Sequence, residues 1–145
     1  MPIGRLHHLI VDCADPVIEA RFWSAVLGDP VTYADEDFVV VSANATTSGV
    51  AFQRAPRLPA PTWPEPGMPQ QMHLDVMVDD LEAAGTAVLA LGGRALGGDH
   101  VYADPAGHPF CLIKRPGWAP PVQGGPGQAD AAKGQPDAGE GDGSD

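Results

Sequence analysis

Residues 8–28 read HLIVDCADPVIEARFWSAVLG, and residues 73–93 repeat the same plan as HLDVMVDDLEAAGTAVLALGG. Each copy opens with a histidine and continues into an apolar run that is typical of a β-strand. An aspartate, Asp15 or Asp80, then precedes a helix-like segment that ends on Leu-Gly. The repeat predicts two copies of one strand-helix module, which bring His8 and His73 to a site shared between the halves.

The predicted elements follow the order β-α-β-β-β in each half of the chain. In the first half, strands are expected at 5–13, 31–33, 37–43 and 50–54 around a helix at 16–27. In the second half, strands are expected at 71–78, 94–96, 100–103 and 109–114 around a helix at 81–91. Asp104-Pro105-Ala106-Gly107 fits a type I turn that joins the last two strands. We predict an α+β fold in which two tandem βαβββ modules form a curved, cleft-bearing mixed sheet.

Both predicted helices have recognisable ends. Asp15 is placed to cap the first helix, with Pro16 in its first turn and Gly28 at its end. The second helix is expected to begin with Asp79 and Glu82 in the spacing of a capping box. Helical spacing predicts a buried stripe on the first helix formed by Ile18, Phe22, Ala25 and Val26.

Composition divides the chain into a domain and a tail. The domain is expected at 3–116, with a first module at about 5–54, a connection at 55–70 that holds six prolines, and a second module at about 71–116. Residues 117–145 are rich in Gly, Pro, Ala and Asp and have few large apolar side chains. Such a segment buries too little surface to offset its ordering entropy, which predicts a disordered acidic tail.

Charge and cysteine usage exclude several classes of function. The net charge is −11 and the few Lys and Arg residues are scattered, so neither nucleic acid nor a membrane is an expected partner. No secretory signal and no membrane-length apolar run is visible in the sequence. Cys13 and Cys111 lack the spacing of a disulfide framework or a CxxC motif. We expect a cytoplasmic protein with reduced thiols.

Strand alternation assigns side chains to two faces of the predicted sheet. One face is wholly apolar and is expected to pack under the helices. The opposite face, called the mixed face below, carries both histidines, and Tyr33, Phe38 and Tyr102 lie on strands able to line its cleft. The predicted ligand-binding side chains on this face are His8, Asp12, Gln53, His73, Asp75, Met77 and Cys111.

Residues 5–116 resemble the vicinal oxygen chelate superfamily, the group of glyoxalase I, bleomycin-resistance proteins, fosfomycin-resistance enzymes and extradiol dioxygenases. The resemblance rests on the paired His-to-Asp-to-Leu-Gly modules and on the closing sequence YADPAGHPFCLI at 102–113. The sequence is most similar to the small single-domain glyoxalase-like group. The resemblance implies the tandem-module fold and a homodimer.

In metal-dependent members of this superfamily, the first and last strands of each module supply ligands, and the last-strand ligand is typically a glutamate. The resemblance places His8 and His73 at the first-strand positions, Cys111 at one last-strand position, and Ala51 or Gln53 at the other. Both carboxylates are therefore missing, which removes the anionic ligands that Mg²⁺ or Mn²⁺ prefers. A zinc ion held by His8, His73 and Cys111 remains chemically reasonable.

Two functions follow from this reading. The missing carboxylates favour a protein that binds a small organic molecule between its modules without a full catalytic metal site and without a cofactor. The alternative is a metal-dependent lyase or isomerase of the glyoxalase type, which uses His8 and His73 around zinc, nickel or cobalt, with zinc the most plausible ion.

Overall fold

A computed structural model of the chain describes residues 1–122. Of the predicted tail at 117–145, residues 123–145 lie outside the described residues. The first module contains β1 (Leu9–Cys13), α1 (Pro16–Leu27), β2 (Val31–Ala34), β3 (Phe38–Val41) and β4 (Val50–Arg54). The second module contains β5 (Leu74–Val78), α2 (Leu81–Ala90), β6 (Arg94–Ala95), β7 (Val101–Ala103) and β8 (Pro109–Lys114). The predicted order β-α-β-β-β, repeated twice, is confirmed.

Each module forms its own four-stranded mixed sheet. Sheet A has the order β1-β4-β3-β2 and sheet B has the order β5-β8-β7-β6, so the duplication extends to the topology. The first and last strands of each module pair in parallel, and the remaining pairs are antiparallel. The predicted α+β architecture of tandem βαβββ modules is confirmed.

The first strand of each module is shorter than the sequence predicts. The pairing of β1 with β4 begins at Leu9 and Val50, and that of β5 with β8 begins at Leu74 and Phe110. Residues ahead of Leu9 and Leu74 have no ladder partner, so each of these strands begins at that residue and not at 5 or 71 as predicted.

The helix caps agree with the sequence in one module and differ in the other. Asp15 accepts hydrogen bonds from the backbone N–H groups of the first turn of α1, and Gly28 ends this helix with a φ of 76°. The prediction of Asp79 as the cap of α2 is wrong, because Asp80 accepts from the N–H of Ala83 instead. Asp79 pairs with Arg115 and accepts from the N–H of Val122.

The helix-side faces of both modules share one hydrophobic core. Phe22 and Trp23 of α1 pack against Phe110 of β8, with ring centroids 5.9 and 5.0 Å apart. The last turn of α1 also approaches β5 and α2, because all three elements line one small apolar cavity. Helix α1 therefore lies between its own sheet and the second module.

This position of α1 corrects the predicted stripe. Ile18 is 50% exposed, while Glu19 and Trp23 are almost fully buried beside Phe22. The buried face is rotated toward Trp23 because that ring contacts Phe110 of the second module.

Glu19 is a buried acid inside this core. Its side chain is 1% exposed and lies beside the carboxyl group of Asp104, which is also buried. The pKa of Glu19 is raised from 4.5 to about 9, mainly by burial and further by the charge of the neighbouring Asp104. The folded chain therefore holds a proton on this pair of carboxyl groups at neutral pH.

We predict that Glu19→Gln removes the contribution of Glu19 to the pH dependence of the free energy of unfolding. The folded state keeps the Glu19 proton that the unfolded state releases above pH 4.5, so the free energy of unfolding falls with rising pH until about pH 9. The slope from this group is up to about 1.4 kcal/mol per pH unit. Urea unfolding at several pH values should give a flatter profile for Glu19→Gln and a higher stability than wild type at alkaline pH. Glu82→Gln, an exposed acid in the first turn of α2, is the control, and an unchanged slope in Glu19→Gln would contradict the assignment.

Neither helix in the described part of the chain combines the length and the hydropathy needed to cross a membrane.

Candidate functional site

Three predicted site residues converge on the mixed face of sheet B. Asp75 and Cys111 are partners in the β5–β8 register, and His73 lies two residues before Asp75 on the same face. The imidazole Nε2 of His73 is 3.5 Å from Oδ1 of Asp75. One ligand atom from each of the three side chains lies within 4.8 Å of the other two, and within residues 1–122 no other group of three His, Cys, Asp or Glu side chains comes as close.

Cys111 is a thiol at neutral pH in this arrangement. Partial burial raises its pKa, and the charge of Asp75 and a hydrogen bond to Asp75 raise it further. A thiol with a raised pKa is a weak nucleophile, because the thiolate is the reactive form. The cluster is therefore suited to binding, with the carboxylate of Asp75 placed between an imidazole and a thiol.

Apolar side chains surround this cluster on sheet B. Met77 and Ile113 are cross-strand partners on the mixed face and are 40% and 37% exposed. Large, solvent-exposed apolar side chains around a polar centre are typical of a surface that binds a ligand or another chain.

The mixed face of sheet A carries the other predicted site residues. Asp12 and Gln53 are register partners, and Phe38 is the next residue across the sheet. Tyr33 lies on the same face, with its ring centroid 6.4 Å from that of Phe38. Asp12 and Gln53 are exposed, so this face presents a carboxylate and an amide beside two aromatic rings.

Tyr102 does not belong to either mixed face. It pairs with Phe110 on the helix side of sheet B, which corrects the expectation that it lines the cleft. A Cβ atom added at Gly85 would lie 2.3 Å from the hydroxyl oxygen of Tyr102. The absence of a side chain at Gly85 allows α2 to lie over this tyrosine.

His8 lies outside the cluster of His73, Asp75 and Cys111. Its Nδ1 accepts a hydrogen bond from the backbone N–H of Gly49 at 3.0 Å. A neutral imidazole that accepts through Nδ1 carries its proton on Nε2, so neither nitrogen is free to bind a metal in this conformation. Of the two histidines of the repeat, only His73 has metal-compatible neighbours among residues 1–122.

Contacts between the modules involve residues that the sequence patterns did not indicate. The indole N–H of Trp23 donates to Asp104 at 3.1 Å, and Nε2 of His108 lies 2.8 Å from the backbone oxygen of Asp12. The turn pattern at residues 104–107 predicted that Asp104 begins a type I turn, but not that it contacts Trp23 of the first module. Helical spacing was the available signal for Glu19, because this residue lies one turn before Trp23.

The sequence profile of the family described as "Glyoxalase-like domain" matches residues 8–113, so the chain belongs to this family. The resemblance to the vicinal oxygen chelate superfamily is thereby confirmed. A search of curated protein sequences finds no match to the chain.

Solved structures share the fold at low sequence identity. A glyoxalase-related enzyme from Fulvimarina pelagi is 16% identical, with a TM-score of 0.57 over 79% of this chain and 90% of the other. A glyoxalase/bleomycin resistance protein/dioxygenase family enzyme from Burkholderia phytofirmans PsJN is 16% identical, with a TM-score of 0.57 over 75% and 97%. The Leishmania major glyoxalase I is 14% identical, with a TM-score of 0.54 over 77% and 86%. At these identities the likeness concerns the fold alone.

Proposed function

We propose that the protein binds a small organic molecule against the mixed faces of its two sheets. The observation that carries this function is the convergence of His73, Asp75 and Cys111 within the exposed apolar surface around Met77 and Ile113. Such a surface suits a ligand with an apolar body and a polar group, because apolar walls supply affinity and a few placed polar groups fix orientation. The ligand-binding side chains are His8, Asp12 and Gln53 on sheet A, and His73, Asp75, Met77 and Cys111 on sheet B.

A second copy of the chain completes this cleft. The helix-side faces share one core inside a chain, so the mixed faces are left to face outward. We infer a homodimer in which sheet A of one chain lies opposite sheet B of the other, which restores the pairing of two modules that the repeat implies. Ile10 and Tyr33 on sheet A, 50% and 53% exposed, would then be covered together with Met77 and Ile113. Both cysteines are free, which suits the reducing cytoplasm as the location.

We predict a dimer that depends on the mixed face of sheet B. Light scattering after size exclusion should give about 30 kDa for the wild type, twice the 15.0 kDa of one chain. Met77→Lys should give a monomer at the same concentration, because a buried ammonium group without a partner is costly. Ile18→Lys, an exposed apolar position on α1, is the matched control and should remain dimeric. A monomeric wild type, or a dimer that only Ile18→Lys disrupts, would contradict this assembly.

A metal-dependent enzyme of the glyoxalase type is the second function, favoured by the donor set itself. An imidazole nitrogen, a thiolate sulfur and a carboxylate oxygen are the ligand types that Zn²⁺ accepts, and a catalytic zinc site keeps three protein ligands and one open position. His73, Asp75 and Cys111 would hold the ion, and zinc would supply Lewis acidity at the open position. Because the thiol must lose its proton on binding, the raised pKa of Cys111 makes zinc affinity fall as the pH decreases.

One experiment separates the two functions. Metal-free protein is titrated with zinc against a chromogenic chelator and is then screened by thermal shift against small aromatic compounds with and without zinc. If binding is independent of metal, some compounds should raise the melting temperature of the metal-free wild type, and this increase should be lost in His73→Ala. A zinc centre predicts one zinc per chain, lost in Cys111→Ser and retained in His8→Gln. Stabilisation by compounds only after zinc loading would overturn the metal-free binder, and protein that takes up no zinc would overturn the enzyme.

A further inference from the structure

A second cavity lies between the two modules. It has a volume of about 420 Å³, within the range of small-molecule sites, and is lined by β1, the start of β5, Trp23 and the proline-rich connection. Asp75, Cys111 and Gln53 do not line it, and His73 is shared with the sheet B face. The cavity therefore adjoins the proposed cleft at Asp12 and His73 and extends from there to Trp23 and the connection.

The connection contributes an unsatisfied polar atom to this cavity. Gln70 lines the cavity, and its Oε1 is buried without a hydrogen-bond partner. An unpaired buried acceptor costs free energy that a bound donor can recover. The cavity therefore favours a ligand that donates a hydrogen bond.

The charge around the cavity is negative. Asp12 and Asp104 line it, and no Lys or Arg is among its lining residues. Asp104 is 4% exposed, and its carboxyl group accepts from neutral donors: the indole N–H of Trp23 at 3.1 Å, the backbone N–H of His108 at 2.8 Å and the protonated carboxyl group of Glu19. A buried carboxylate that has only neutral donors attracts a cation and disfavours an anion.

The remaining walls are apolar and partly open. Leu58, Met68 and Met72 line the cavity and are 45%, 41% and 64% exposed. Their aliphatic side chains and the Trp23 ring offer contact for the body of a ligand, and covering them would remove apolar surface from water.

We propose that this cavity binds a small organic amine, with its ammonium group directed to Gln70 and the carboxylates and its apolar body against Trp23 and the connection. This site shares Asp12 and His73 with the edge of the proposed cleft, extends beyond it to Trp23 and the connection, and needs no metal. It assigns the proline-rich connection a binding role beyond joining the modules.

The test is a titration of the full ¹⁵N-labelled chain with benzylamine, benzyl alcohol and benzoate, three probes of similar size and different charge. The indole N–H signal of Trp23 reports the cavity, and the variants Trp63→Phe and Trp118→Phe identify it among the three tryptophans. Saturable shifts of this signal are expected with benzylamine, weaker binding with benzyl alcohol, and none with benzoate. Binding of benzoate as tight as that of benzylamine, or no saturable shift with benzylamine, would overturn the proposal.

Two variants locate the amine. Gln70→Leu should weaken benzylamine binding roughly three- to tenfold, the worth of one hydrogen bond, while raising the stability of the free protein. Thr86→Leu, a polar-to-apolar change at an exposed position of α2 outside the cavity lining, is the control and should bind as wild type does. Met68→Trp should fill the cavity and abolish binding while the Trp23 signal shows that the fold persists. Equal affinity in wild type, Gln70→Leu and Met68→Trp would overturn the site, as would shifts confined to Asp75 and Cys111, which would leave the cleft on sheet B standing.

Discussion

The packing of Trp23 between the two modules is the contact on which the remaining structure depends. Its ring lies 5.0 Å from that of Phe110, and its indole N–H donates to the buried carboxyl group of Asp104 at 3.1 Å. Removing a buried tryptophan side chain costs about 3–5 kcal/mol, a large share of the stability of a domain of this size. Because this contact unites the helix-side faces in one core, the opposite face of each sheet points away from that core.

In the proposed assembly, one chain carries half-sites rather than a complete site. His73, Asp75 and Cys111 meet on sheet B, whereas Asp12 and Gln53 lie together on sheet A and His8 is engaged by Gly49. The resemblance implies a glutamate on the closing strand of each module, where this chain has Cys111 in the second module and Ala51 or Gln53 in the first. Asp75, next to the histidine on the same strand, places a carboxylate beside that thiol. Whether this cluster binds a ligand directly or through zinc depends on the protonation of Cys111.

The sequence determined the elements and the faces well, because both depend on local patterns. The bounds of β4 and β8 and the caps of α1 follow from alternation and turn chemistry, and the duplication indicated the topology. The relative placement of the modules could not be predicted, since alternation gives the face of a residue but not what covers that face. For this reason the burial of Glu19 appears only in the structure, while the predicted face of Tyr102 was wrong because it depends on the register of β7 against β8, which places Tyr102 opposite Phe110.

The most direct test of this account is an isotope-filtered NOESY experiment on a sample that mixes labelled and unlabelled chains. Within one chain, we expect NOEs between the Trp23 indole and the Phe110 ring and none between the side chains of His8 and His73. NOEs that link Tyr33 or Phe38 of sheet A to Met77 or Ile113 of sheet B should arise between chains. Intrachain NOEs between His8 and His73, with none between Trp23 and Phe110, would contradict the shared helix-side core and the outward-facing sheets.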